Sequence, residues 1–244
     1  MKYQSDSSKH LIPIVVGVTG HRDLREEDVP ELKKNVEAIF KEIKDKYKPL
    51  IKTFRGKYKG KGKYQYLPIK ILSPLAEGAD RLVAQVGLHT GHAEVKLIAI
   101  LPMPKEEYEK DFDTVASKKE FADLLEKAED VFELPLIEGN TLESVQTYKE
   151  SRNKQYALAG AYIAAHSQIL IALWDGKATG ETAKVVRAKL EGIPGPSAPS
   201  ESPLDILDNG PVYHVFVRRK NIQEEIAAYN HKPVIPCPPH RKGE

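Results

Sequence analysis

The residues best suited to chemistry in this chain follow a short apolar run near its start. The run 14–18 is mostly β-branched, which is typical of a strand buried on both faces, and it leads into a Thr-Gly-His-Arg turn. Histidine and arginine are donors suited to phosphate or carboxylate, threonine adds a hydroxyl, and glycines permit close approach to the backbone. An alternative is a tight strand–helix turn with a solvated arginine. The predicted ligand contacts here are Gly17, Thr19, Gly20, His21 and Arg22.

Two later segments repeat the pattern of an apolar strand, a glycine-containing turn and a helix start. They are 73–81 and 174–182. Backbone N–H groups at a helix start bind anions, and carboxylates there suit ribose hydroxyls or a base edge. The alternative for the segment 73–81 is a helix start that is only capped, and the alternative for Trp174 is a side chain that only packs at the end of its strand. The predicted contacts are Ser73, Glu77, Gly78, Ala79, Asp80, Arg81, Trp174, Asp175, Gly176, Gly180, Glu181 and Thr182, with Pro102 after a further strand.

A helical stretch supplies two secondary candidates. Arg152 and Tyr156 lie four residues apart and therefore share one helix face. They could reach into the site, although a surface arginine stacked on a tyrosine is the commoner arrangement. No pattern of metal ligands is evident, so we expect no metal.

The elements that position these residues alternate between strands and helices. Apolar runs at 14–18, 69–72, 95–101, 131–137, 169–175 and 212–217 predict strands, separated by helical segments. This order predicts an α/β fold of the Rossmann-like, doubly wound type, with a mainly parallel sheet and helices on both faces. The ends of parallel strands emerge at one edge, so the three loops should line one cleft.

Local signals set the expected limits of several elements. Asp28 should cap a helix that Pro49 ends, and Ser117 with Glu120 has the spacing of a capping box. The stretch 141–166 predicts one long helix. We expect a disordered segment at 1–10, a single domain at 11–231 with a surface loop at 192–211, and a tail at 232–244.

Composition narrows the functional classes. The 244 residues carry a net charge of +2, so no overall charge favours nucleic acid or a membrane. The single cysteine, Cys237, suits a reducing compartment, and the polar start resembles no secretory signal. We therefore expect a cytoplasmic protein. The basic tract 55–63 is compatible with an anion or nucleic-acid contact, but a solvated connection is the simpler interpretation.

The three loops lack the best-known phosphate-binding patterns. None reads G-x-x-x-x-G-K-[ST] or G-x-G-x-x-G, which disfavours a standard NTPase or NAD dehydrogenase. Together, however, the segments 17–22, 73–81 and 173–183 resemble the SLOG superfamily, a Rossmann-like group that includes the DNA-processing protein A family and the Lonely Guy phosphoribohydrolases. The resemblance covers roughly residues 11–220. It implies a nucleotide or nucleotide-derived ligand and a sensor role in signalling or defence, often beside an effector; we also expect a homo-oligomer.

The resemblance leaves two further functions open. Lonely Guy enzymes cleave the bond between base and ribose 5-phosphate with a P-G-G-x-G-T-x-x-E motif, whose glutamate this chain lacks. Glu77, Asp80 or Glu181 could substitute for that carboxylate as the catalytic group. DNA binding of the DNA-processing protein A type would depend on the tract 55–63, and the near-neutral charge makes nucleic acid an improbable partner. A ligand sensor is the preferred prediction.

Overall fold

The computed structural model describes residues 13–57, 67–90, 95–191, 210–220 and 231–234. The strands are β1 (Ile14–Gly20), β2 (Ile69–Ser73), β3 (Val95–Leu101), β4 (Asp130–Glu133), β5 (Ile169–Trp174), β6 (Val212–Phe216) and β7 (His231–Val234). The helices are α1 (Val29–Lys57), α2 (Ala79–His89), α3 (Lys105–Tyr108), α4 (Val115–Lys127), α5 (Leu142–Thr147), α6 (Lys149–His166) and α7 (Glu181–Glu191).

The strands form one sheet in the order β4-β3-β2-β1-β5-β6-β7. The first six are parallel, and β7 pairs antiparallel with β6. The strand order reverses at β1, whose neighbours are β2 and β5. In open α/β sheets, ligands bind beyond the carboxyl ends of the strands at such a reversal. The predicted fold class is confirmed, and its switch point lies at the predicted loops.

Helices cover both faces of the sheet. On one face, α1 and α2 bury an apolar side that includes Val36, Phe40 and Val83. On the other, α6 and α7 pack small and branched residues such as Ala159 and Val185 against the sheet. The central strands are consequently apolar on both faces, which is why they read as continuous apolar runs.

Helix α1 is longer than predicted. It passes through Pro49 and ends at Lys57, so this proline lies within the helix and does not end it. Asp28, the predicted cap, ends the 3-10 turn Glu26–Asp28 directly before this helix, and its carboxylate accepts a hydrogen bond from Arg218.

Two further predicted elements differ from the structure. The stretch 141–166 forms two helices, because Tyr148 is extended (φ −113°, ψ 120°) and the Arg152 guanidinium bonds the Val145 carbonyl at the end of α5. The predicted fourth strand at 131–137 is the shorter strand β4, and its edge position and its end before Pro135 are what a proline within the run favours.

The capping box at Ser117 is also wrong. Thr114 caps α4 by accepting the Ser117 N–H, so the Ser117 and Glu120 side chains are free to face α2.

Several predictions fall outside the described residues. These are the segment 1–10, most of the loop 192–211, most of the basic tract 55–63 and Cys237. Strand β7 occupies the first part of the predicted tail 232–244. In the ranges that the structure does describe, no helix is long and apolar enough to span a membrane, and no three potential metal ligands cluster.

Candidate functional site

The loop after β1 lies between the other two predicted loops. The His21 N–H donates to the Leu173 carbonyl at 3.0 Å, and the His21 carbonyl accepts from the Ala79 N–H at 3.0 Å. Gly20 makes this approach possible, since a Cβ there would lie 2.5 Å from the Leu173 oxygen and 2.4 Å from the Ala79 Cβ. The three loops therefore form one continuous surface at the carboxyl edge of the sheet.

A side-chain pair reinforces the contact between the first and third loops. The His21 Nε2 lies 3.0 Å from the Asp175 Oδ1, which also accepts the Lys177 N–H at 3.1 Å. Burial raises the pKa of Asp175, but His21 and the Lys177 amide outweigh it and hold this pKa below its usual range. Asp175 is therefore an anion at neutral pH beside the His21 ring, although the His21 Nε2 has no well-aligned hydrogen bond within the described residues.

The start of α2 is less open to a ligand than the sequence suggests. Its first N–H, from Ala79, is already bound to the His21 carbonyl. Gly78 has φ +76°, and a Cβ there would lie 2.3 Å from the Arg22 carbonyl oxygen. The chain's own carbonyl thus occupies the position at which an anion would meet this first amide.

The third loop leaves its glycines open. Gly176 and Gly180 have φ values of +78° and +102°, conformations that favour glycine. A Cβ at Gly180 would have no atom within 4 Å among the described residues, and at Gly176 its nearest would be His214 Cε1 at 3.9 Å. Thr182 is buried in the first turn of α7, and Glu181 pairs with Lys184. This loop keeps room for a ligand beside a helix N-terminus.

Arg22 belongs to a charged cluster that also contains both secondary candidates. Asp111 accepts from Arg152 at 2.6 Å and from the Tyr156 hydroxyl at 2.5 Å. Arg22 lies farther away, 3.8 Å from Asp111, with its guanidinium 5.2 Å from the centre of the Tyr156 ring. Arg152 and Tyr156 are thus held by the protein, whereas Arg22 has a looser contact and a side chain that is 42% exposed.

Asp80 is the buried acid of this cluster. It is 5% exposed, and its Oδ1 has no hydrogen-bond partner within the described part of the chain. Burial raises the pKa of Asp80 to about 7, although Arg22, the Ala76 amide and Arg81 oppose this shift. Asp80 therefore changes charge near neutral pH.

Other predicted site residues hold elements together. Arg81 is 1% exposed; it donates to the Leu75 carbonyl and to Ser117 and Glu120, each at 2.9 Å, and stacks 4.3 Å from the Phe112 ring centre. Glu77 accepts from the Ser117 hydroxyl. These contacts fasten α2 and its preceding turn to α4.

Buried contacts account for four more of the predicted residues. Ser73 bonds the turn at Leu75 and the Asp80 carbonyl, and the Pro102 carbonyl accepts from Gln155. Gly17 faces α6, where a Cβ would lie 2.7 Å from Ile163. Thr19 pairs with Ala172 in the sheet. Ser73 thus serves turn geometry and Gly17 serves packing, whereas the contacts of Pro102 and Thr19 are made by backbone atoms.

Trp174 stands where β5 meets the third loop. Its ring lies 5.2 Å from the His214 ring, and its carbonyl contacts the His214 Nε2 at 2.9 Å. Its own Nε1 is buried with no hydrogen-bond partner among the described residues. The tryptophan is therefore fixed against β6 with an unused donor.

A cavity of about 710 Å³ opens beside the first two loops, between α1, α2 and α4. Of the predicted residues, Arg22, Glu77, Gly78 and Arg81 line it, and the third loop does not. Its apolar part comes from Leu24, Val29 and Leu82. Its volume falls in the usual range for small-molecule sites, and its lining is mixed.

Sequence reasoning missed Tyr108 and Asp111, which complete the charged cluster. Tyr108 is 1% exposed, and burial raises its pKa. Tyr108 ends the short helix α3 and Asp111 lies on the 3-10 turn after it, and neither residue has a periodic or motif signal. Only the chain path after Pro104 brings them to the site.

Comparisons with known proteins add one structural likeness. No protein-family model matches the chain, and a search of curated proteins gives no match. A similar solved structure is the X-ray structure of DNA processing protein A (DprA) from Streptococcus pneumoniae, with 15% sequence identity and a TM-score of 0.44. The alignment covers 79% of this chain and 52% of that chain. This chain thus corresponds to about half the length of that neighbour.

Proposed function

We propose that this protein binds a nucleotide or nucleotide-derived small molecule at the carboxyl edge of the sheet and acts as a ligand sensor. The observation that carries the proposal is the double backbone bond of His21, which joins three glycine-containing loops at the switch point of a parallel sheet. Such an edge supplies amides, hydroxyls and charges to one ligand.

Geometry favours the third loop for the anionic group. The first amide of α2 is bound to the His21 carbonyl, whereas the turn before α7 has open space at Gly180. The helix dipole and the free backbone amides at a helix N-terminus favour the binding of a phosphate group. Arg22 is the loosely held cation of the same edge and would supply a second, charge-assisted contact.

The direct test is ligand-induced stabilisation. We expect AMP, ADP-ribose or NAD to raise the melting temperature, since a ligand at 100 times its dissociation constant adds about 2.7 kcal/mol to the free energy of unfolding. Isothermal titration calorimetry would then give the affinity. If none of these molecules binds at millimolar concentration, the proposed function is wrong.

A pair of glycine variants tests the third loop. Gly180→Ala places a methyl group in the open space before α7, and we expect at least tenfold weaker binding. Gly139→Ala is the matched control, because Gly139 also has positive φ (+85°) and open space, but it follows edge strand β4. Both variants carry similar backbone strain. If the two variants bind the nucleotide with equal affinity, the third loop is not part of the binding site.

One observation favours hydrolysis of an N-glycosidic bond as a second candidate function. Asp80 is buried, has an unused oxygen and titrates near neutrality, as a general acid or base requires. Glu77 and Glu181, in contrast, are engaged by Ser117 and Lys184. Chromatography of AMP incubations would detect released adenine. Release that Asp80→Asn abolishes would establish this function in place of simple sensing.

A sensor also needs a reader of its ligand-bound state. We propose an effector protein in that role. Co-purification with and without the bound nucleotide would test it, and a partner retained equally in both states would not be reading the ligand.

A further inference from the structure

Asp80 combines burial with an unsatisfied acceptor. The residue is 5% exposed, and its Oδ1 has no hydrogen-bond partner in the described ranges, while the Ala76 N–H bonds the carboxyl group. An ionised carboxylate in such a position lacks the hydrogen bonds that water would supply, so its charged form is unfavourable.

Three charged or titratable groups act on Asp80 directly: Arg22 on the loop after β1, Arg81 on the same helix and Tyr108 on α3. Asp111, on the turn after α3, and Tyr156, on α6, act on Arg22 instead. Both tyrosines have raised pKa values, first of all through burial, and stay neutral near pH 7. The charge on Asp80 therefore depends on its burial, which favours the neutral acid, and on the two arginines, which favour the carboxylate.

Only one of the two arginines is free to respond to a ligand. Arg81 is locked by Leu75, Ser117 and Glu120. Arg22 is 42% exposed and stands 3.8 Å from Asp111, whose carboxylate is already neutralised by Arg152 and the Tyr156 hydroxyl. Asp111 consequently keeps its partners when Arg22 turns toward an anion.

We propose that an anionic ligand that engages Arg22 is bound together with one proton, which Asp80 takes up. This inference rests on the proposed function and adds its regulation. The ligand's negative charge cancels the attraction of Arg22 for the Asp80 carboxylate, so the neutral acid becomes favoured. The proton comes from solvent and stays on the carboxyl group; no covalent bond changes.

Calorimetry of ADP-ribose binding tests this linkage, because the ADP-ribose diphosphate does not titrate between pH 6 and 8.5. Titrations in buffers of different ionisation enthalpy should show net proton uptake on ligand binding at pH 8, up to one proton per ligand. The dissociation constant should rise about tenfold per pH unit above the Asp80 titration. In the Asp80→Asn variant, proton uptake on ligand binding should vanish, and the affinity for ADP-ribose should change less than twofold between pH 6 and 8.5.

A second experiment needs no ligand: carbon-13 NMR of the aspartate carboxyl groups measures the titration of Asp80 directly. Arg22→Gln removes the attracting charge and should move the Asp80 titration to higher pH. The control Lys34→Gln removes an exposed α1 cation that pairs with Glu31, and it should leave the titration unchanged. This arm stands even if Asp80→Asn does not fold.

The outcomes separate the two ideas. Binding of ADP-ribose with no proton uptake and no pH dependence overturns the inference and leaves the proposed function intact. An Asp80 titration that Arg22→Gln does not move also overturns it. Absence of nucleotide binding at every pH overturns both.

Discussion

At the residue scale, the buried Asp80 should make stability depend on pH. Its pKa in the folded protein is raised to about 7, above the ordinary value of 3.8, so folding favours the protonated form. For this group, the free energy of unfolding is therefore greatest below pH 4 and falls as pH rises to 7, by roughly 4 kcal/mol. In urea unfolding from pH 5 to 8, the free energy of unfolding of Asp80→Asn should increase relative to that of the wild type as pH rises. A constant difference between the two proteins would mean that Asp80 does not titrate in this range.

The predicted site residues show what residue types alone can reveal. The Thr-Gly-His-Arg turn and the two glycines of the third loop lie at the carboxyl edge of the sheet, as the pattern of a buried strand followed by a glycine-containing turn predicts. Arg81 and Glu77 have the same types as ligand contacts, yet they bind Ser117 on α4, some 40 positions along the chain. Side chains that satisfy distant elements cannot be separated from ligand contacts by local spacing.

At the element scale, Arg81 should determine how firmly α4 is held. Its guanidinium bonds Ser117 and Glu120 and stacks on Phe112, a fork that lysine cannot reproduce. We expect Arg81→Lys to lower the free energy of unfolding by about 2–4 kcal/mol. Hydrogen exchange in α4 should accelerate most. The control Gln85→Ala removes one α2 bond to the same Glu120 and should have a smaller effect. Equal loss of protection across all helices would show that Arg81 does not act on α4 specifically.

Secondary-structure elements were predictable where one hydrophobic periodicity dominated the segment. The predictions were wrong where a single side-chain contact determined where an element begins or ends. The apolar runs gave the central strands because both faces are buried. The break at Tyr148 depends on the Arg152 guanidinium reaching the Val145 carbonyl, and a helical pattern spans the break without interruption. The spacing of Ser117 and Glu120 resembles a capping box but serves an interhelical contact.

At the scale of the whole molecule, the residues after β6 are bound to those after β1. Leu24 bridges Arg219, the Lys220 N–H donates to the Asp23 carbonyl, and Arg219 pairs with the Asp23 carboxylate at 2.9 Å. These contacts join positions almost 200 residues apart and lie beside the loop that carries His21 and Arg22. The shape of the candidate site therefore depends on closure between distant parts of the chain, which no local pattern encodes.

The pair Arg218–Asp28 should be the decisive contact of this closure. Asp28 is 4% exposed, so removing the Arg218 guanidinium takes a charged hydrogen-bond partner away from a buried carboxylate. We expect Arg218→Met to lower the free energy of unfolding by about 3 kcal/mol, toward the smaller end of buried pairs because Arg218 is one-third exposed. Lys220→Met is the matched control. Its ion pair with Glu26 is exposed, and its loss should fall within the error of urea unfolding. The double variant Asp28→Asn with Arg218→Met should recover part of the loss, because no buried charge remains; a fully additive loss would show that the two side chains act independently.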